Sequence, residues 1–244
     1  MTATPMVRRL IAKAWARVRP LSLVAALSLL GCYTEAVHVP AELAPAARLP
    51  VKGRSGWGPG HRLRFGEYET ERRESRLLQA VIGIVADVVR GEGIEPLGFR
   101  LRTSGRDAWR ADCDPITRHR QGEPPSTESN HLRCTLVPAA GDSSRAWRLL
   151  VHQAYPEAPS GDLIGPEGRL VIAGTTRNSE GRVHTADHVM GYYVQDGGRT
   201  VATVEVVFEG AVWFHPELSP QRRDLLAATA AALLLWDYLV NTPL

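Results

Sequence analysis

Lysine is almost missing from this chain. Of its 29 basic residues only Lys13 and Lys52 are lysines, and the rest are arginines, a bias that suits a GC-rich genome more than a chemistry. Cysteine is scarce too, at three residues in 244, and no pair is spaced C-x-x-C. That spacing is the signature of zinc ribbons and thioredoxin-type redox motifs. No G-x-S-x-G nucleophile elbow is present. The glycine-rich Gly56-Trp57-Gly58-Pro59-Gly60 lacks the Lys-Ser/Thr that would make it a phosphate-cradling loop. Apolar runs are short. Leu21–Leu30 has ten residues, and Leu225–Val240 has sixteen with Asp237 inside it. The longer run covers roughly 24 Å as a helix, short of the roughly 30 Å hydrocarbon core of a bilayer. There is no internal repeat.

The basic excess is local. Residues 1–31 carry Arg8, Arg9, Lys13, Arg17 and Arg19 and no acidic residue; taking those five from 29 leaves 24 basic against 26 acidic residues, a formal net charge of −2. No basic face is indicated, so nucleic acid is not an expected partner.

A basic start and a ten-residue apolar run form a targeting segment over residues 1–31. It ends in Leu29-Leu30-Gly31-Cys32. This resembles the lipobox of bacterial lipoproteins. The resemblance implies that the Cys32 thiol receives a diacylglyceryl group and that cleavage leaves Cys32 as the new N-terminus, held in the membrane by its lipid. Tyr33 stands where inner-membrane lipoproteins usually carry Asp, which implies sorting to the outer membrane. Val7-Arg8-Arg9-Leu10-Ile11-Ala12-Lys13 also resembles a twin-arginine signal, so two export routes stay open.

Residues 32–60 contain Pro40, Pro45, Pro50 and Pro59, several alanines and four glycines, with no sustained periodicity. They read as a tether, and the 28 residues after Cys32 span about 30 Å as a flexible chain. Residues 61–244 then read as one β-rich domain, because the length left suffices for one sizeable core.

Within it, His61–Tyr68 alternates like a first strand. Thr70–Arg90, with its Glu/Arg-rich start and a Leu/Val/Ile spacing of three to four, predicts a helix ended by Gly91, although its β-branched residues also suit a strand. From Leu97 onward, short strands alternate with turns: Phe99–Arg102, Trp109–Cys113, Asn130–Val137, Arg145–Gln153, Arg169–Ala173 and a strand from Val183. Asp196-Gly197-Gly198 and Glu209-Gly210 are tight-turn signals, and they predict a three-stranded meander from Gly191 to Phe214. Ser219-Pro220 is a helix start, with Ser as N-cap and Pro at the first helical position. The helix that follows is apolar on every side, which predicts a buried core helix.

The expected fold is therefore mainly β (α+β): an antiparallel barrel or sandwich with a buried apolar C-terminal helix. The Gly191–Phe214 meander and the Leu225–Trp236 run are similar, as an architecture, to the tubby, scramblase and LURP-one group. In that group a closed β-barrel wraps the last helix, and the resemblance implies a lipid-binding or docking role.

Candidate chemistry is sparse. Cys113 and Cys134 are the thiols left after lipidation, and an oxidising compartment predicts that they pair as a disulfide. His184 and His188 have a zinc-ligand spacing without the glutamate of H-E-x-x-H, and read as loop residues. Asp112 and Asp114 share one face of a strand. Trp57, Trp109, Trp147 and Trp213 read as core, or as a ligand-binding wall. No catalytic set, cofactor or metal is expected. The expected function is a non-catalytic, lipid-anchored envelope protein, in the outer membrane, whose domain binds a lipid, a glycan or an envelope protein. The alternative is a metal-dependent envelope hydrolase using His184 and His188.

Overall fold

The structure, a computed structural model, describes residues 35–54, 62–72, 97–118, 129–141, 143–154, 157–185 and 188–241. The chain divides into Met1–Glu35 and Ala36–Leu244, and among the described residues every strand and the core helix lie in the second part. The expected signal segment 1–31, Cys32, Trp57 and most of the expected Thr70–Arg90 helix lie outside the described residues.

Twelve strands form one antiparallel sheet: β1 (Leu49–Pro50), β2 (Arg64–Phe65), β3 (Tyr68–Arg72), β4 (Leu97–Thr103), β5 (Arg106–Arg118), β6 (Ser129–Pro138), β7 (Trp147–Ala154), β8 (Ser160–Gly165), β9 (Gly168–Thr175), β10 (Gly191–Asp196), β11 (Arg199–Glu205) and β12 (Ala211–Phe214). From β2 to β12 each strand pairs with its neighbour in sequence, and β12 then pairs with β1. Lys52, just past β1, exchanges two backbone hydrogen bonds of 2.9 Å with Arg64 of β2. That bridge joins the two edges of the sheet into a nearly closed barrel. Bulges after Leu101 and Val194 add the local coiling that closure needs.

The barrel is filled by one helix, α1 (Pro220–Asn241). Every residue from Leu225 to Trp236 is buried, as are the inward residues Phe99, Leu101, Leu132, Leu136, Leu149, Leu163 and Ile172 around it. The five alanines of the run keep α1 thin enough for the strands to close on it. Thr229, its one polar interruption, donates its hydroxyl to the Leu225 carbonyl at 3.0 Å, so that hydroxyl is satisfied within the helix. No helix among the described residues is long and apolar enough to cross a membrane. The expectation of a mainly β fold around a buried C-terminal helix holds.

The helix gives the barrel two distinct ends. The Pro220 mouth holds the β4–β5, β6–β7, β8–β9 and β10–β11 turns, and the Asn241 mouth holds the β7–β8, β9–β10 and β11–β12 connections.

Residues 36–54, expected as tether, are instead part of the domain. Val37 pairs with Asn178 beside the Asn241 mouth. The segment then runs along the outside of β11 to the other mouth, where Glu42 accepts from the Thr200 amide at 3.3 Å. There it makes a single 3-10 turn (Ala41–Leu43) and returns as β1. Val37 and Leu43 bury against Met190, Ala211 and Trp213 in a small second core. This strap seals the outer face of β11 and β12, which explains why β11 is buried on both sides. Proline-rich, aperiodic sequence suits it, because it holds on by single anchor residues and not by one repeating face.

Three further expectations need correction. His61–Tyr68 is not one strand: Gly66, at φ +57°, turns the chain between β2 and β3. Thr70–Arg72, placed at the start of a helix, belongs to β3, where it pairs with Phe99–Leu101. Val183 makes one isolated bridge to Arg177 and starts no strand; the next strand begins at Gly191.

Cys113 and Cys134 face each other across β5 and β6 and are joined as a disulfide inside the core. The expected pairing is present, and a closed loop of this length contributes about 3 kcal/mol in the chain-entropy account.

Candidate functional site at the helix-start mouth

At the Pro220 mouth the first turn of α1 meets the β-turns, leaving a cleft of about 170 Å³. Its residues come from far apart in sequence: Trp109 on β5, Trp147 on β7, Glu167 in the β8–β9 turn, and Gln221, Arg222 and Asp224 on the helix. The helix start is built as its sequence suggests. Ser219 accepts from the Arg222 amide at 3.3 Å through its hydroxyl, and from the Arg223 amide at 2.9 Å through its carbonyl. Pro220 occupies the position whose amide would have no partner.

That cap aims Arg222 across the mouth. Its guanidinium stacks 5.1 Å from the Trp147 ring and donates to Asp196 at 3.0 Å. A cation over an indole face is attracted by the ring quadrupole. Trp147 lies flat because residue 165 is glycine: a Cβ there would sit 2.2 Å from the ring. On the other side of the cleft, Asp224 accepts from the Tyr68 hydroxyl at 3.1 Å. Tyr68 is wedged against Phe65 and Phe214, with ring centroids 5.5 and 6.0 Å away.

Burial is the main cause that raises the Asp224 carboxyl above its ordinary value, with Glu67 adding to it. The Tyr68 hydroxyl and the guanidinium groups of Arg106 and Arg223 oppose the shift without cancelling it. The Tyr68 hydroxyl is itself raised, first by burial and then by Asp224. Glu205 behaves like Asp224: burial raises it, and Arg48, 3.3 Å away, pulls it back in part. In the folded protein both carboxyls hold a proton to higher pH than they do in the unfolded chain. The folded state therefore binds more protons through that window, and its stability falls as pH rises. Asp224→Asn is expected to flatten part of this slope. The check is the urea midpoint of both proteins at about pH 4 and about pH 7. An equal offset between variant and parent at the two pH values would refute it.

The sites expected from sequence are scattered. Asp112 and Asp114 lie on the exposed outer face of β5, opposite Thr135 and Arg133. His184 and His188 lie in the β9–β10 loop at the Asn241 mouth, not on a helix, with ring centroids 5.1 Å apart. The His184 amide donates to Thr176 and the His188 amide to Thr185. Two imidazoles supply two of the three or four ligands that zinc takes. Trp109, Trp147 and Trp213 are all largely buried, and the first two wall the cleft. Sequence reasoning did not bring Arg222 and Asp224 to those tryptophans. Its only signal was the polar first turn of an otherwise apolar helix.

A scan of protein-family models and searches of curated proteins and solved structures found no match to this chain.

Proposed function

We propose that this protein is a lipid-anchored envelope protein whose barrel is a non-catalytic binding module, with its ligand site in the Pro220-mouth cleft. The carrying observation is that cleft: Trp109, Trp147, Arg145, Arg222 and the Asp224 carboxyl, which burial pushes toward its neutral form, converge on a space of about 170 Å³. Because α1 fills the barrel, the inside offers no tunnel for an acyl chain among the described residues. A glycan is therefore favoured over an enclosed lipid. Trp109 and Trp147, the latter already covered by Arg222, form an apolar wall, while guanidinium and carboxyl groups meet hydroxyls.

The test is a titration of the intact protein with soluble envelope saccharides, followed by tryptophan fluorescence. A saturable change is expected, with affinity about tenfold weaker in Arg222→Ala. Absence of any saturable change, or unchanged affinity in Arg222→Ala, rejects the site. Incorporation of labelled fatty acid, lost in Cys32→Ser, tests the anchor separately.

A second reading, a metal-dependent hydrolase, draws on the close approach of His184 and His188. Native mass spectrometry after exposure to zinc decides it. A bound zinc lost in His188→Ala would favour this reading over the first.

A further inference from the structure

The strap sets how far the barrel stands from its anchor. Ala36 is already part of the fold: its carbonyl accepts from the Ser179 amide at 2.8 Å, and the His38 amide donates to the Arg177 carbonyl at 3.0 Å. Val37, between them, is buried at the Asn241 mouth. Only Tyr33, Thr34 and Glu35 separate Ala36 from Cys32. Four residue steps reach at most about 14 Å. The 22 residues of α1 span roughly 33 Å. Given the acylated Cys32 of the proposed function, on which this inference rests, the Asn241 mouth is the end of the barrel nearest the bilayer.

That mouth carries the two most exposed large apolar side chains among the described residues, Phe208 (70 %) and Val183 (68 %). Phe208 has φ +55°, a left-handed conformation that bulky residues rarely adopt. Its backbone is held there from below, because the buried Arg54 guanidinium donates to the Phe208 carbonyl at 2.8 Å. A strained backbone thus presents a largely exposed ring, and such strain persists where function uses it. Val183 bridges to Arg177, the residue whose carbonyl seats the strap. The exposed Arg177 and Arg182 lie close by in the same loop, with Arg182 also 2.8 Å from Glu180. Apolar side chains with arginines beside them, on the face closest to a lipid anchor, match what an anionic membrane surface attracts. We propose that the Asn241 mouth docks on the phospholipid surface, with Phe208 and Val183 entering the headgroup region beside the acylated Cys32.

The test uses the full acylated chain on phosphatidylethanolamine/phosphatidylglycerol vesicles that carry a shallow nitroxide lipid. A fluorophore is placed by Val183→Cys and, in a second protein, by Glu217→Cys at the far mouth. The Val183 reporter is expected to be quenched about threefold more than the Glu217 reporter, with the excess lost in Phe208→Gly. Glycine suits a positive φ, so that loss is not unfolding. Equal quenching of the two reporters on floated vesicles, or a Phe208→Gly chain quenched like its parent, overturns docking. If the chain does not float, acylation has failed as a separate matter. The same proteins coupled through Cys32 to a maleimide lipid then give the reporter comparison.

Discussion

Arg54→Ala is expected to lower the unfolding free energy by about 3–5 kcal/mol, the cost of breaking a buried ion pair from one side. Arg54 belongs to the strap, yet its side chain is buried at the Asn241 mouth against the last turns of α1. Its guanidinium pairs with Asp237 and also donates to the Val206 carbonyl, to the Leu234 carbonyl at 3.2 Å and to the Phe208 carbonyl at 2.8 Å. One fork thus ties the helix backbone, a turn and a carboxylate together. Deleting it takes the guanidinium from a buried carboxylate and from three carbonyls together. Arg54→Lys is not expected to rescue, because a point ammonium cannot span those four acceptors. A double variant, Arg54→Met with Asp237→Leu, should recover part of the loss, since the buried carboxylate leaves together with its cation; the turn carbonyls still lose their donor. Urea unfolding of the three variants is the check. A loss below about 1 kcal/mol in Arg54→Ala would mean that water replaces the guanidinium freely and that this mouth is open.

Trp236→Ala should cost a similar amount, about 3–5 kcal/mol, by a different route. Trp236 is among the largest fully buried side chains and packs with Tyr192 of β10 at a ring-centroid distance of 6.3 Å. Closely spaced strands held around a thin helix cannot collapse into the space it leaves, so the cavity persists. Trp236→Phe keeps much of the volume and should cost less than half as much. Equal losses in the two variants would point to backbone disruption and not to a cavity. Thermal unfolding separates these outcomes.

The contrast between those residues shows what could be read from the chain. Trp236 sits in a run without a polar stripe, and such a run has to be enclosed. The hairpins were legible for a similarly local reason. Gly197, Gly198 and Gly210 take positive φ at the turns their neighbours predicted, and Cys113 and Cys134 were the thiols left to pair. Arg54 was hidden, because its partner Asp237 lies 183 positions away and neither residue belongs to a motif. β8 was missed for a subtler reason. Its Ser-Gly-Asp-Leu-Ile-Gly sequence is poor in strand formers, and the glycines are there for close approach. A Cβ on Gly161 would lie 2.0 Å from the Leu150 carbonyl oxygen on β7. The cleft was illegible because it exists only once the barrel closes and brings residues 109, 147, 222 and 224 to one rim.

The core helix follows every described strand in the sequence, so it is made after all of them. Eleven strands from β2 to β12 can pair in the order of synthesis, each with the one just before it. Their inner faces nonetheless have nothing to enclose until Leu225–Trp236 arrives, and the ring is joined only when β12 meets β1, some 160 residues upstream. Long-range closures of this kind form late. A ribosome stalled or a chain cut before Ser219 would leave an open sheet with a bare apolar concave side, a ready substrate for proteases and for self-association. Arrival of the helix therefore acts as the commitment step of folding, because only then can the strands close on a filled interior.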